Sequence, residues 1–191
     1  VNFTLLWFIR DGDFKRAFGD EEFRNYVVYI TVGILAVFIA LLASGTSAGR
    51  ALRDSMFQVV SFGTSTGYTS TNYMDTSWPL VTHLIIFILM IVGASAGSTA
   101  GGLKLLRVTL AFKVAMRELV RIAQPRKVDQ IRMNGEVVEH QQISLIVGML
   151  IVWIGLFGIS SILLAIFMPG DSFESITTLV ASSLGNTGPT L

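Results

Sequence analysis

The chain has 191 residues, of which 52% are hydrophobic, 14% charged and none cysteine, with a formal net charge of +1. Soluble domains carry about 25% charged residues, so this composition excludes an ordinary soluble fold and points to an integral membrane protein. The lack of cysteine excludes a disulfide scaffold, a thiolate metal site and a cysteine nucleophile, and the near-neutral charge argues against general nucleic-acid binding.

The first segment, residues 1–25, starts at Val1-Asn2-Phe3 without a methionine or a helix start signal, as a fragment of a longer protein would. Three windows then lack Asp, Glu, Lys and Arg: residues 25–49, 76–103 and 140–170, which are 25, 28 and 31 residues long. About 20 apolar residues cross the hydrocarbon core as a helix, so each window holds one span. The first is too late and too long for a signal peptide.

The first window predicts a spanning helix near Tyr26–Ser44, followed by a short amphipathic stretch, Arg50–Phe62. The polar run Gly63-Thr64-Ser65-Thr66-Gly67-Tyr68-Thr69-Ser70-Thr71 comes next, and a second span begins near Trp78. That span is interrupted by Gly93-Ala94-Ser95-Ala96-Gly97-Ser98-Thr99-Ala100-Gly101-Gly102, with four glycines and no large side chain. Glycine inside a helix costs about 1 kcal/mol relative to alanine, so several together predict an unwound segment. Close helix packing through small residues is the competing explanation of the same run.

Lys104 and Arg107 begin the next predicted helix, and Lys113, Arg117 and Arg121 share one face of it. That face serves either as an anchor on anionic headgroups or as a partner surface. Asn134-Gly135, between Val128–Met133 and Glu136–Glu139, predicts a hairpin with a type I′ turn, read as a docking site for a cytosolic regulator or as a simple connector. The third span runs near Ile143–Met168, then come Asp171–Leu184 and Gly185-Asn186-Thr187-Gly188-Pro189-Thr190. Gly148, Gly155 and Gly158 in this span suggest tight helix packing, while Met149 and Met168 read as lipid-facing or core filler. His83 reads as a packed or interfacial histidine rather than an ion ligand.

Lys and Arg set the orientation. Residues 1–25 carry four of them and 104–139 carry eight, whereas 45–78 holds only Arg50 and Arg53 and 169–191 holds none. The first pair of segments is therefore expected in the cytoplasm and the second pair outside.

An internal repeat emerges. Each unit reads as a helix, a half-helix and a Thr-Gly element followed by Tyr or Pro, with Gly67 and Gly188 separated by 121 residues. Non-helical backbone at membrane depth is tolerated only inside protein or along a water-filled path. A Thr-Gly element after a re-entrant helix can aim carbonyls at a pore axis, where carbonyl rings replace the hydration shell of potassium. Two outer loops rich in Ser, Thr and Gly are the plainer alternative. No catalytic triad, paired catalytic carboxylates or Walker spacing stands out, so the chain is not expected to be an enzyme.

Ser65-Thr66-Gly67-Tyr68, the run Gly93–Gly102 leading into Leu103-Lys104, and Gly185-Asn186-Thr187-Gly188-Pro189 together resemble the Trk/Ktr/HKT superfamily of potassium transporters, most closely its bacterial TrkH branch. The resemblance implies an all-α integral membrane fold of helix–pore-loop–helix repeats, potassium-channel-like, with one span broken by a glycine-rich intramembrane loop. It places residues 1–25 at the end of a preceding repeat and a cytoplasmic linker, 26–123 in a third repeat, 124–142 in a hairpin linker and 143–191 in a fourth repeat without its last helix.

By the same resemblance, Ser65, Thr66, Gly67, Tyr68, Asn186, Thr187 and Gly188 belong to the selectivity filter. Oxygens of Ser65, Thr66, Asn186 and Thr187 would meet potassium, and Gly93–Gly102 would gate the pore. Thr190 departs from the family, where glycine is common. Potassium is implied as the transported substrate, with no organic cofactor. The implied partners are membrane lipid, a cytosolic nucleotide-binding TrkA-type subunit and a second copy in a homodimer, all at the bacterial inner membrane. Two alternatives stay open: a secondary transporter of another class, for which inverted repeats would be expected although both units here run in the same direction, and a non-conducting membrane subunit.

Overall fold

The computed structural model describes residues 3–71, 78–124 and 130–189. Val1, Asn2, Val128, Asp129 and Thr190, named above, lie outside them. The elements in chain order are α1 (Phe3–Arg10), α2 (Phe14–Gly19), α3 (Glu21–Ala43), α4 (Ala48–Gly63), α5 (Leu80–Val92), α6 (Leu105–Ala123), β1 (Arg132–Met133), β2 (Glu136–Val137), α7 (His140–Phe167) and α8 (Phe173–Gly185).

Among the described residues, two helices are long and apolar enough to cross a membrane, α3 with 23 residues and α7 with 28. At about 1.5 Å per residue they reach roughly 35 and 42 Å. Asp20 caps α3 by accepting the Phe23 N–H at 2.8 Å, and Glu21 and Glu22 follow in its first turn, where negative charge suits the helix dipole. Apolar side chains surround α7 and are exposed along it, Ile151, Ile154 and Phe167 among them, as on a helix whose solvent is lipid. Helix α5 has 13 residues, about 20 Å, and alone does not reach across the hydrocarbon.

One core joins helices from both ends of the chain. Val37 of α3, Val59 and Phe62 of α4, Ile86 and Met90 of α5 and Ala181 of α8 form a single buried cluster. Helix α8 is thereby packed into the same core as α3, α4 and α5. Gly63 lets α3 approach the end of α4, since a Cβ there would stand 2.5 Å from Ile30 Cδ1. A second cluster fastens α6 to α7 through Leu110 and Ile143, with Ile131 of the hairpin segment beneath them.

Several expectations are refined. The hairpin forms with two-residue strands, Arg132 opposite Val137 and Met133 opposite Glu136. Asn134 and Gly135 at its tip have φ of 52° and 84°, both in the left-handed region that a type I′ turn needs. Lys104 does not begin α6: it precedes the helix with φ of 69° and turns back toward the glycine-rich run. The expected close packing at Gly148, Gly155 and Gly158 is absent among the described residues, where each faces open space.

Candidate functional site

The two Thr-Gly elements are built alike. Helix α4 ends at Gly63, Ser65 takes a left-handed φ of 54°, and the Thr66 N–H folds back to the Ser61 carbonyl at 2.8 Å. Helix α8 ends at Gly185, Asn186 takes φ of 49°, and the Thr187 N–H folds back to the Ser182 carbonyl at 2.9 Å. One residue earlier the two elements again match, with a shorter bond in sequence: the Ser65 N–H reaches Phe62 and the Asn186 N–H reaches Ser183. Gly67 and Gly188 then both carry positive φ, 76° and 102°. Apart from the helix ends, Gly63 and Gly185, which are 122 residues apart, these correspondences keep the 121-residue offset.

The elements also meet. A Cβ on Gly67 would stand 1.9 Å from the Thr187 carbonyl oxygen and 3.0 Å from Pro189 Cδ. The chain therefore brings its two candidate segments side by side, backbone against backbone. The folded-back N–H groups are spent on the ends of α4 and α8. Among the described residues, the carbonyls of Ser65, Thr66, Gly67, Asn186, Thr187 and Gly188 accept no hydrogen bond. The Ser65 and Thr187 hydroxyl oxygens are likewise buried without a hydrogen-bond partner. Tyr68 differs: the residue is 72% exposed and its carbonyl accepts the Ser61 hydroxyl at 2.6 Å.

The glycine-rich run lies against the base of this pair. Gly93 ends α5 with φ of 67°, and the chain closes on itself where the Leu103 N–H reaches the Ile91 carbonyl at 3.0 Å and the Leu105 N–H reaches Ala94 at 3.0 Å. Glycine is required at this neck: a Cβ on Gly93 would lie 2.4 Å from the Gly101 carbonyl oxygen, and one on Gly101 2.1 Å from the Gly185 carbonyl oxygen. Ala94 and Ser95 are buried, while Ala96, Gly97 and Thr99 are exposed. Ser98 bonds back to Ser95, and the Lys104 ammonium donates to the carbonyls of Ser98, at 2.9 Å, and of Ala100. From outside the run, the Phe3 N–H donates to Gly97 at 3.1 Å and the Glu22 carboxylate accepts the Ala96 N–H at 2.5 Å.

Sequence reasoning missed Glu22, Ser61 and Ser182. The serines were findable, since each stands six residues before its glycine at the same offset. Glu22 gives no such signal; it reads as an ordinary first-turn acid. The His83 side chain is 15% exposed, and its Nδ1 lies 3.4 Å from Glu174 on α8. The basic face of α6 is divided: Lys113 pairs with Glu21, while Arg117 and Arg121 turn to Glu118.

A family model described as TrkH, cation transport protein, matches residues 26–191. The chain belongs to the TrkH family of cation transport proteins. It is 32% identical to the Trk system potassium uptake protein TrkH of Vibrio parahaemolyticus over 90% of its own length and 35% of that protein. The TrkH of Salmonella typhimurium is also 32% identical, covering the whole chain and 39% of that protein. The crystal structure of the potassium transporter TrkH from Vibrio parahaemolyticus matches with a TM-score of 0.90 at 30% identity, over 100% of this chain and 41% of that one. The chain thus spans about two fifths of the length of these TrkH relatives. The TrkH family transports cations and is not a family of enzymes.

Proposed function

We propose that this chain supplies two of the filter segments and the gate of a potassium uptake pore. The observation that carries the reading is the pairing of Ser65-Thr66-Gly67 with Asn186-Thr187-Gly188, whose carbonyls accept no hydrogen bond among the described residues. Carbonyls that spend no hydrogen bond inside the protein are free to replace the hydration shell of a potassium ion. Oxygens of Ser65, Thr66, Asn186 and Thr187 coordinate the ion, and Gly67 and Gly188 permit the backbone turn; Tyr68 borders the outer mouth. The relatives' names, potassium uptake protein and potassium transporter, favour potassium as the cargo.

In this reading α4 and α8 are re-entrant pore helices, residues 26–123 and 143–191 are repeats, and α5 and α6 are the halves of one span broken by Gly93–Gly102. That loop sits under the filter and obstructs it. No organic cofactor is needed. The protein lies in the bacterial inner membrane as a multi-pass homodimer among lipids, and a TrkA-type nucleotide-binding subunit docks near the hairpin and α6. Shortening Gly93–Gly102 by several residues in the full-length protein tests this. Rubidium flux into vesicles should rise, with the preference over sodium retained, because the obstruction shrinks while the carbonyls stay in place. Equal or lower flux from a folded variant reassigns the run to helix packing.

A further inference from the structure

Two neighbouring carboxylates at the start of α3 face different ways. Glu22 is buried and accepts the Ala96 N–H of the glycine-rich loop at 2.5 Å. Glu21 binds the cytoplasmic hairpin: its own N–H donates to Asn134 Oδ1 at 2.7 Å, and its carboxylate accepts the Asn134 N–H at 3.2 Å. The Asn134 amide also donates to Asp20 at 2.9 Å. Lys113 of α6 completes the knot, pairing with Glu21 and donating to the Arg132 carbonyl at 2.9 Å. Three segments far apart in the chain, the hairpin tip, α6 and the loop, are therefore tied to three consecutive residues, Asp20, Glu21 and Glu22.

We propose that Glu22 is the positioning residue that clasps the loop, and that Asp20 and Glu21 join this clasp to the hairpin, so that movement of the hairpin is passed to the loop. A short, rigid path makes this possible. Glu21 and Glu22 share the first turn of one helix, so a displacement of that turn carries both carboxylates. The hydrogen bond to Glu22 is charge-assisted and lies in a buried place, which makes it one of the strong contacts that the loop has. The role in conduction rests on the gate reading above; the clasp itself does not.

The chain has no cysteine, so Thr99→Cys, at an exposed position of the loop, is a unique reporter in this chain. The rate at which a water-soluble thiol reagent modifies it is measured in the folded full-length protein, alongside rubidium flux. Glu22→Ala should raise the modification rate about tenfold, the population shift expected when one charged hydrogen bond is lost. Glu22→Gln keeps an acceptor oxygen without the charge and should return the rate part of the way to that of the Thr99→Cys parent. Glu22→Asp keeps the charge but is one methylene too short, and should resemble Glu22→Ala; it serves also if the alanine variant does not fold. Asn134→Gly, which tolerates the φ of 52° there, should raise the rate in the same direction through the hairpin. An unchanged rate in Glu22→Asp, or failure of Glu22→Gln to restore it in part, overturns the clasp. An unchanged rate in Asn134→Gly overturns the link. A raised rate with unchanged flux upholds the clasp and refutes the gate reading instead.

Discussion

Gly67→Ala adds one methyl group where the two Thr-Gly segments touch. Its Cβ would lie 1.9 Å from the Thr187 carbonyl oxygen, whereas ordinary contact begins at 3.4 Å. About 1.5 Å of separation has to be found, and because the obstacle is backbone no rotamer change supplies it. Alanine also meets the left-handed φ of 76°, at a cost of about 1–2 kcal/mol. Forcing atoms into a packed place adds about 1–3 kcal/mol. The variant should therefore lose about 2–5 kcal/mol. Gly45→Ala is the control: its φ is 89° with nothing within 4 Å, so only the backbone cost of about 1–2 kcal/mol applies. Thermal unfolding of the two full-length variants in detergent reads the difference. Flux of rubidium and sodium into vesicles reads the consequence: moving the Thr187 carbonyl should lower the preference at least about tenfold, equivalent to about 1.4 kcal/mol. If Gly67→Ala unfolds with Gly45→Ala and keeps its selectivity, the contact between the two segments is not part of a filter.

Ser61→Ala removes the hydroxyl that Tyr68 accepts at 2.6 Å, so the unfolding temperature should fall by the equivalent of about 1 kcal/mol, with a smaller loss of selectivity than in Gly67→Ala; an unaltered unfolding temperature would remove Ser61 as a support of the outer arm. Single cysteines at Glu136 and Gly170, which flank α7, should be labelled by an impermeant reagent from the cytoplasmic and external sides respectively. Labelling of both from one side would mean that α7 does not cross the membrane.

Much of the fold was legible because hydrophobicity is a local property. The charge-free window 25–49 holds most of α3, 140–170 holds all of α7, and the third contains α5. Asn134-Gly135 announced its turn for a local reason too, since both residues tolerate positive φ. The 121-residue offset likewise survives in the structure as matching backbone bonds at Thr66 and Thr187. Each of these signals lies within a few residues of the feature that it encodes.

What the tertiary structure alone decided is how distant residues share a place. Gly67 and Thr187 are 120 residues apart, and Glu22 and Ala96 are 74 apart. Nothing in a periodicity tells that Lys113 turns inward to Glu21 while Arg117, four residues on, turns to Glu118. The same holds for Lys104, whose ammonium closes the glycine-rich loop instead of starting a helix. An amino-acid pattern specifies which residues prefer lipid, water or a turn. Which backbone oxygen a given N–H meets depends on where helices cross, and that is set by the common core of α3, α4, α5 and α8, formed only when the chain has closed on itself.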